Sequence, residues 1–242
     1  MTWVVVAGVC SAVFLATIVQ QISGFGFALL AVPLAAAFIG PKDAVAVAMA
    51  AGLVASGKMA LGLRDRIERP ELRRLLIGAS VGLPIGVVGL RFIPEDPLRV
   101  ALALVLLVMV VVLVVRFRPT STRPGTQVAA GVASGLLNGS LGTGGPPVVL
   151  MLQAAETEQH SFRATTTAFF AICDLVAIPL IVASGAASST GWWSAVASLP
   201  ALMVGDAIGN RLAYRVDQEQ FRTLTLGLLF VTALVTLAAV LV

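Results

Sequence analysis

Residues 138–147 read Asn138-Gly139-Ser140-Leu141-Gly142-Thr143-Gly144-Gly145-Pro146-Pro147, and apolar runs stand on both sides of them. Glycine and proline at this density end a helix, because glycine has the most backbone entropy to lose and proline lacks an N–H. The remaining side chains of the break carry amide and hydroxyl groups. A second break reads Gln20-Gln21-Ile22-Ser23-Gly24-Phe25-Gly26-Phe27, and Gly24 and Gly26 match Gly142 and Gly144 at an offset of 118 residues. In lipid, each unsatisfied backbone group costs several kcal/mol, so irregular backbone persists only where protein buries it or where it lines a polar cavity. Two such breaks in corresponding places therefore mark a binding site inside a membrane protein.

The composition places the chain in a membrane. Of 242 residues, 58% are hydrophobic and 12% charged, and the mean hydropathy is +0.99. Soluble domains carry about 25% charged residues. A spanning helix takes about 20 apolar residues, so this length holds roughly seven to ten membrane segments and no soluble catalytic domain. The net charge of +4 is not a nucleic-acid footprint, since the basic residues fall in short clusters between apolar runs. Cys10 and Cys173 lie inside apolar runs and read as packing residues; neither a disulfide framework, a metal site nor a cofactor is expected. The first segment follows Met1, Thr2 and Trp3 without a basic leader region and is read as retained.

Apolar runs fall near 3–22, 25–39, 44–63, 75–93, 98–115, 126–140, 146–154, 164–187, 192–209 and 220–241. The runs at 25–39, 126–140 and 146–154 are short for a crossing, which predicts broken helices or re-entrant hairpins. Basic loops at 64–74 (Arg64, Arg66, Arg69, Arg73, Arg74), 116–123 (Arg116, Arg118, Arg123) and 211–215 (Arg211, Arg215) are separated by even numbers of segments. All three are thus expected on the cytoplasmic side, with the turn at 94–97, both termini, Trp3, Trp192 and Trp193 outside.

Each half repeats one order: a pair broken at glycines, a long segment, then two more. Gly82, Ile85, Gly86 and Arg99 also match Gly205, Ile208, Gly209 and Arg222 at an offset of 123. With five segments per half, the second copy enters the membrane upside down. The expected fold is an all-α integral membrane protein of two inverted-topology repeats, 1–118 and 126–242, joined by a cytoplasmic linker at 119–125. Its broken or re-entrant hairpins meet near the midplane, a recurrent build of secondary transporters. Helices starting at Phe27 and Pro146 aim their N–H groups and positive dipole ends at the breaks, which suits an anion. Close glycine packing between helices is the plainer reading, but it does not ask for the Gln, Asn, Ser and Thr neighbours.

The paired halves, the Gly24-Phe25-Gly26 break, the segment from Gly135 to Pro147 and the later Phe162-Arg163-Ala164-Thr165 resemble the sulfite exporter TauE/SafE family of bacterial permeases. The resemblance covers nearly the whole chain. It implies transport of sulfonates, sulfoacetate or sulfite across the bacterial inner membrane, with a small anionic solute and the lipid bilayer as partners. Candidate substrate-binding residues are Gln20, Gln21, Ser23, Gly24, Phe25, Gly26, Asn138, Ser140, Gly142, Thr143, Gly144 and Gly145.

Ionisable residues inside spans are functional candidates by default. Asp174 lies mid-run without a local cation and is a candidate carrier of a coupled proton, the alternative being a carboxylate satisfied by hydroxyl or N–H groups. Lys58 either binds the anion or snorkels to the interface. Arg163 either draws anions to the inner mouth or is an ordinary positive-inside residue. Asp206 reads as structural, and His160, beside Glu156 and Glu158, as solvated. A hydrolase is the rival class, since Ser23, Ser56, Ser134 and Ser184 each precede glycine, but the only histidine lies in a loop and no membrane Ser/Lys or paired-aspartate arrangement stands out. An anion channel on the same scaffold is a second rival. No G-x-x-x-x-G-K-[ST] motif is present, so energy comes from a gradient or a partner. Small-residue faces would permit a homodimer, though no segment identifies one.

Overall fold

The computed structural model describes residues 2–115 and 123–213, with the side chains of 112–114 left aside. Arg116, Arg118, Arg215, Arg222 and the run at 220–241 lie outside the described residues. Within them the chain is helical: α1 (Trp3–Ser23), α2 (Phe27–Ile39), α3 (Pro41–Gly62), α4 (Arg69–Phe92), α5 (Glu95–Val115), α6 (Pro124–Leu141), α7 (Gly145–Ala154), α8 (Gln159–Ser184) and α9 (Ser189–Leu212), with a short 3-10 turn at Arg64–Arg66. Several helices extend past the apolar runs, because hydropathy registers only the stretch that fits the hydrocarbon. The polar first turns of α4, α5 and α8 are helical too.

Helices α1, α3, α4 and α8 are each long and apolar enough to cross a membrane. The distribution of polarity agrees with lipid as solvent. Val81, Ile85 and Val88 of α4 and Leu104, Val108 and Val111 of α5 are exposed, while Gln20, Asn138, Thr166, Asp174 and Asp206 are buried. Polar groups turn inward and apolar ones outward, as a multi-pass membrane protein requires.

α2 has 13 residues and α7 has 10, giving lengths of about 20 and 15 Å against a hydrocarbon core of about 30 Å. Neither crosses. α2 folds back along α1, so that Gly8 near the start of α1 faces the Phe38 ring near the end of α2. α7 folds back along α6 in the same sense, tied by the Ser134 hydroxyl, which donates to the Gly144 carbonyl.

The helix contacts come in matched pairs. α4 packs along α6 and α1 along α9; α3 crosses α8 at the centre, touching α9 while α8 touches α4. Glycines permit the two long contacts. A Cβ on Gly82 would meet the Val132 carbonyl, and one on Gly205 would lie 2.8 Å from the Phe14 carbonyl. Neither backbone can yield. Gly82→Val and Gly205→Val are therefore each expected to lower stability in detergent by about 1–3 kcal/mol or more, read as a fall in Tm. Gly57→Ala, at a position with nothing within 4 Å, should leave Tm within a degree or so, on the small scale of surface changes.

The two ends of the bundle differ. At one end Arg74 donates to Gln127 at 3.0 Å and the Glu68 N–H to Thr165 at 3.0 Å, so the 64–74 segment and the start of α6 share a side. At the other end Asp43 receives the Ser188 N–H at 2.7 Å and its hydroxyl at 2.6 Å, and Arg91 donates to the Gly185 carbonyl at 2.9 Å. Gly191, beside Trp192, lies against Asp43.

Candidate functional site where two helix breaks meet

Both breaks are built by the same local chemistry. α1 ends at Gly24, whose φ of +82° lets its N–H reach the Gln20 carbonyl at 2.7 Å. α6 ends at Gly142, with φ of +69° and its N–H on the Asn138 carbonyl at 2.8 Å. Left-handed backbone of this kind favours glycine, which has no Cβ to clash. α2 then starts at Phe27, as its sequence predicts, and α7 at Gly145, one residue before the predicted start.

The tips of the two hairpins face one another across a cavity of about 30 Å³, lined by Gln20, Phe25, Gly26 and Phe27 from the first hairpin and Asn138, Gly142, Thr143, Gly144 and Gly145 from the second. That volume holds a water or two. α3 adds Met49, Gly52 and Ser56, and α8 adds Phe170 and Asp174. Two side-chain bonds brace it: Gln20 Nε2 donates to Ser56 Oγ at 2.7 Å, and Asn138 Nδ2 donates to Asp174 Oδ1 at 3.1 Å. Each joins residues 36 positions apart. Asp174 Oδ2 lies against Gly52, where a Cβ would stand 3.0 Å from it.

Two polar atoms in this lining have no hydrogen-bond partner. Gln20 Oε1 and Thr143 Oγ1 are buried and unsatisfied, on residues each 1% exposed. A buried orphan acceptor costs about 1–3 kcal/mol. Such atoms are kept where something else fills the space, and here both border the same cavity.

Of the sequence-derived candidates, Gln20, Phe25, Gly26, Asn138, Gly142, Thr143, Gly144, Gly145 and Asp174 come together at the cavity. The others stand elsewhere. Ser140 donates to the Leu136 carbonyl at 2.7 Å, outside the cavity. Ser23 caps its own break, donating toward the Val19 and Phe25 carbonyls and receiving the Phe25 N–H. Gly24 packs on the stem of Arg163, and Arg163 Nη2 donates to the Gln21 carbonyl at 2.6 Å. The Gln21 side chain donates to Asp206, whose other carboxylate oxygen pairs with Lys58. Gln21, Lys58, Arg163 and Asp206 thus form a second polar cluster that ties α1 to α3, α8 and α9 behind the first break. Ser56, Gly52, Met49 and Phe170 are lining residues that reading the breaks alone does not find.

The second cluster is asymmetric in burial: the Lys58 side chain is 69% exposed and that of Asp206 only 10%. Lys58→Ala is expected to cost under about 1 kcal/mol, as exposed pairs do. Asp206→Ala strands the buried Gln21 amide and should cost about 1–3 kcal/mol. Thermal denaturation of the two variants in detergent tests that order, which equal losses would contradict.

The serines that precede glycine are held by neutral partners. Ser56 receives the Gln20 amide, Ser134 donates to the Gly144 carbonyl, and Ser184 donates to the Ile181 carbonyl at 2.9 Å.

A protein described as "Probable sulfite/organosulfonate exporter TauE" from Cupriavidus necator is 22% identical over 221 residues, spanning 88% of this chain and 86% of the relative. No solved structure matches the chain. The family model of the sulfite exporter TauE/SafE family matches residues 9–236, nearly the whole length including both breaks, and the chain belongs to that family.

Proposed function

We propose that this protein is a secondary transporter that moves small sulfur-containing anions, of the sulfite, sulfonate and sulfoacetate class, across the bacterial inner membrane. The observation that carries the reading is the meeting of two helix breaks at one buried cavity with unsatisfied polar atoms in its wall. The substrate class is taken from the family and from the name of the Cupriavidus relative.

Helix ends favour an anion. The first N–H groups of a helix have no partner within it and carry partial positive charge. At α2 the residues Phe27, Ala28 and Leu29 all have an N–H; at α7, Pro146 and Pro147 have none. The first hairpin therefore offers the richer anion-binding tip. In the closed form described here the cavity is too small for an oxyanion, so loading requires the hairpin tips to part.

Two inverted repeats, 1–118 and 126–242 about a linker at 119–125, are supported by the contacts. Exchanging α1 with α6, α2 with α7, α3 with α8 and α4 with α9 maps the contact of α4 with α6 onto that of α9 with α1, and leaves the crossing of α3 and α8 in place. Adding 118 to Gln20 and Ser56 gives Asn138 and Asp174, the two braced pairs. The same shift takes Phe14, which meets Gly205, to Val132, which meets Gly82. Placing the basic ends in the cytoplasm follows the positive-inside rule.

A titration of the detergent-purified protein with sulfite, sulfate, sulfoacetate, taurine-like sulfonates and carboxylates of matching size tests the reading by thermal shift. Saturable stabilisation by sulfite or a sulfonate is expected. A folded sample that responds to no anion would contradict it.

A further inference from the structure

We propose that the cavity between the hairpin tips seats a monovalent cation of about sodium's size, carried together with the anion. This rests on the reading of that cavity as the transport site. Four oxygen-bearing side chains line it: Gln20, Thr143, Ser56 and Asp174. Gln20 and Thr143 supply the two atoms that have no partner although their residues are about 99% buried. Among the described residues no Lys, Arg or His lines the cavity, and Asp174 is the only titratable one there.

A carboxylate away from water must be paired or neutralised. Asn138 satisfies one oxygen of Asp174 with a neutral bond and supplies no charge. Water in the cavity could satisfy oxygens but not the charge. A proton neutralises the charge but needs one or two waters beside it to serve the remaining oxygens. A small hard cation does both, since it takes several oxygen ligands at once, as oxygen-coordinated cations generally do. The volume, about 30 Å³, fits one such ion.

The geometry around the ion agrees. The C-terminal ends of α1 and α6 carry partial negative charge to the same breaks where α2 and α7 bring partial positive charge. Cation and anion thereby have adjacent seats, and the cation cancels the Asp174 charge that would otherwise repel an oxyanion. Cotransport in one direction follows, because the anion seat is favourable only when the cation seat is filled.

Sodium alone is the probe. Full-length protein in detergent, at fixed pH and ionic strength, is titrated with radiolabelled sodium against choline, and thermal shift is followed in parallel. Saturable sodium binding is expected, weakened about tenfold or more in Asp174→Asn and in the near-isosteric Thr143→Val, with both variants eluting as folded protein. Absence of saturable binding in folded wild type, or equal binding in both variants, overturns the proposal. Stabilisation that follows pH and ignores sodium also overturns it, assigning Asp174 to a proton. Anion stabilisation is measured separately in sodium and in choline, and tighter binding in sodium is expected. Anion binding with no sodium binding removes the cation seat and leaves the transport reading standing. Sodium binding with no response to any anion removes the transport reading instead.

Discussion

Thr143→Leu is expected to reduce sulfite or sulfonate flux by about 100-fold or more while the protein still inserts and folds. Thr143 is 1% exposed and its hydroxyl borders the cavity without a partner. Leucine removes that oxygen and adds volume where only about 30 Å³ is open. Overpacking costs roughly 1–3 kcal/mol, which a large bundle can absorb, whereas a filled seat leaves nowhere for substrate. A displaced binding geometry alone costs about 100-fold in well-fitted sites. Asn138→Leu should act similarly by another route, since it removes the amide that braces Asp174. Flux into proteoliposomes, normalised to folded protein, is the readout, and wild-type rates in both variants would move the site elsewhere.

Asp174→Asn should uncouple transport from the gradient of the proposed coupled cation. The substitution keeps the shape and removes the only formal charge among the described residues of the cavity lining. Wild-type accumulation of anion is expected to rise about tenfold for each tenfold gradient of a singly coupled cation, since both correspond to about 1.4 kcal/mol. The variant should show no such response and drift to the distribution set by the membrane potential. An unchanged gradient response would demote Asp174 to a packing residue.

The fold was largely open to reading because lipid imposes few solutions. Nine of the ten apolar runs fall within the described residues and each is met by a helix there, and Gly24 and Gly142 end α1 and α6 where their sequence predicts. The depth to which each break reaches is less legible, since hydropathy cannot tell a short crossing from a hairpin. Packing of Gly8 on Phe38 shows that α2 runs back along α1. Residues flanking a glycine break look alike in sequence, yet helical rotation separates them: Gln20 faces the cavity while Gln21 reaches Asp206. Ser140 is turned toward its own helix for the same reason. Ser56 stands far from either break in sequence and reads as one serine among many. Its signal is the shift of 118 that carries Gln20 and Ser56 onto Asn138 and Asp174, visible only once the breaks are matched and the 36-residue spacing is compared.

The central claim is that one cavity between the two hairpin tips binds and carries the anion. Counterflow of radiolabelled sulfite into proteoliposomes loaded with unlabelled sulfite, wild type beside Thr143→Leu, tests it most directly. Transient accumulation of label above equilibrium by wild type, and none by the variant, is the expected result. No counterflow by folded wild type, or equal counterflow by the two, would contradict it.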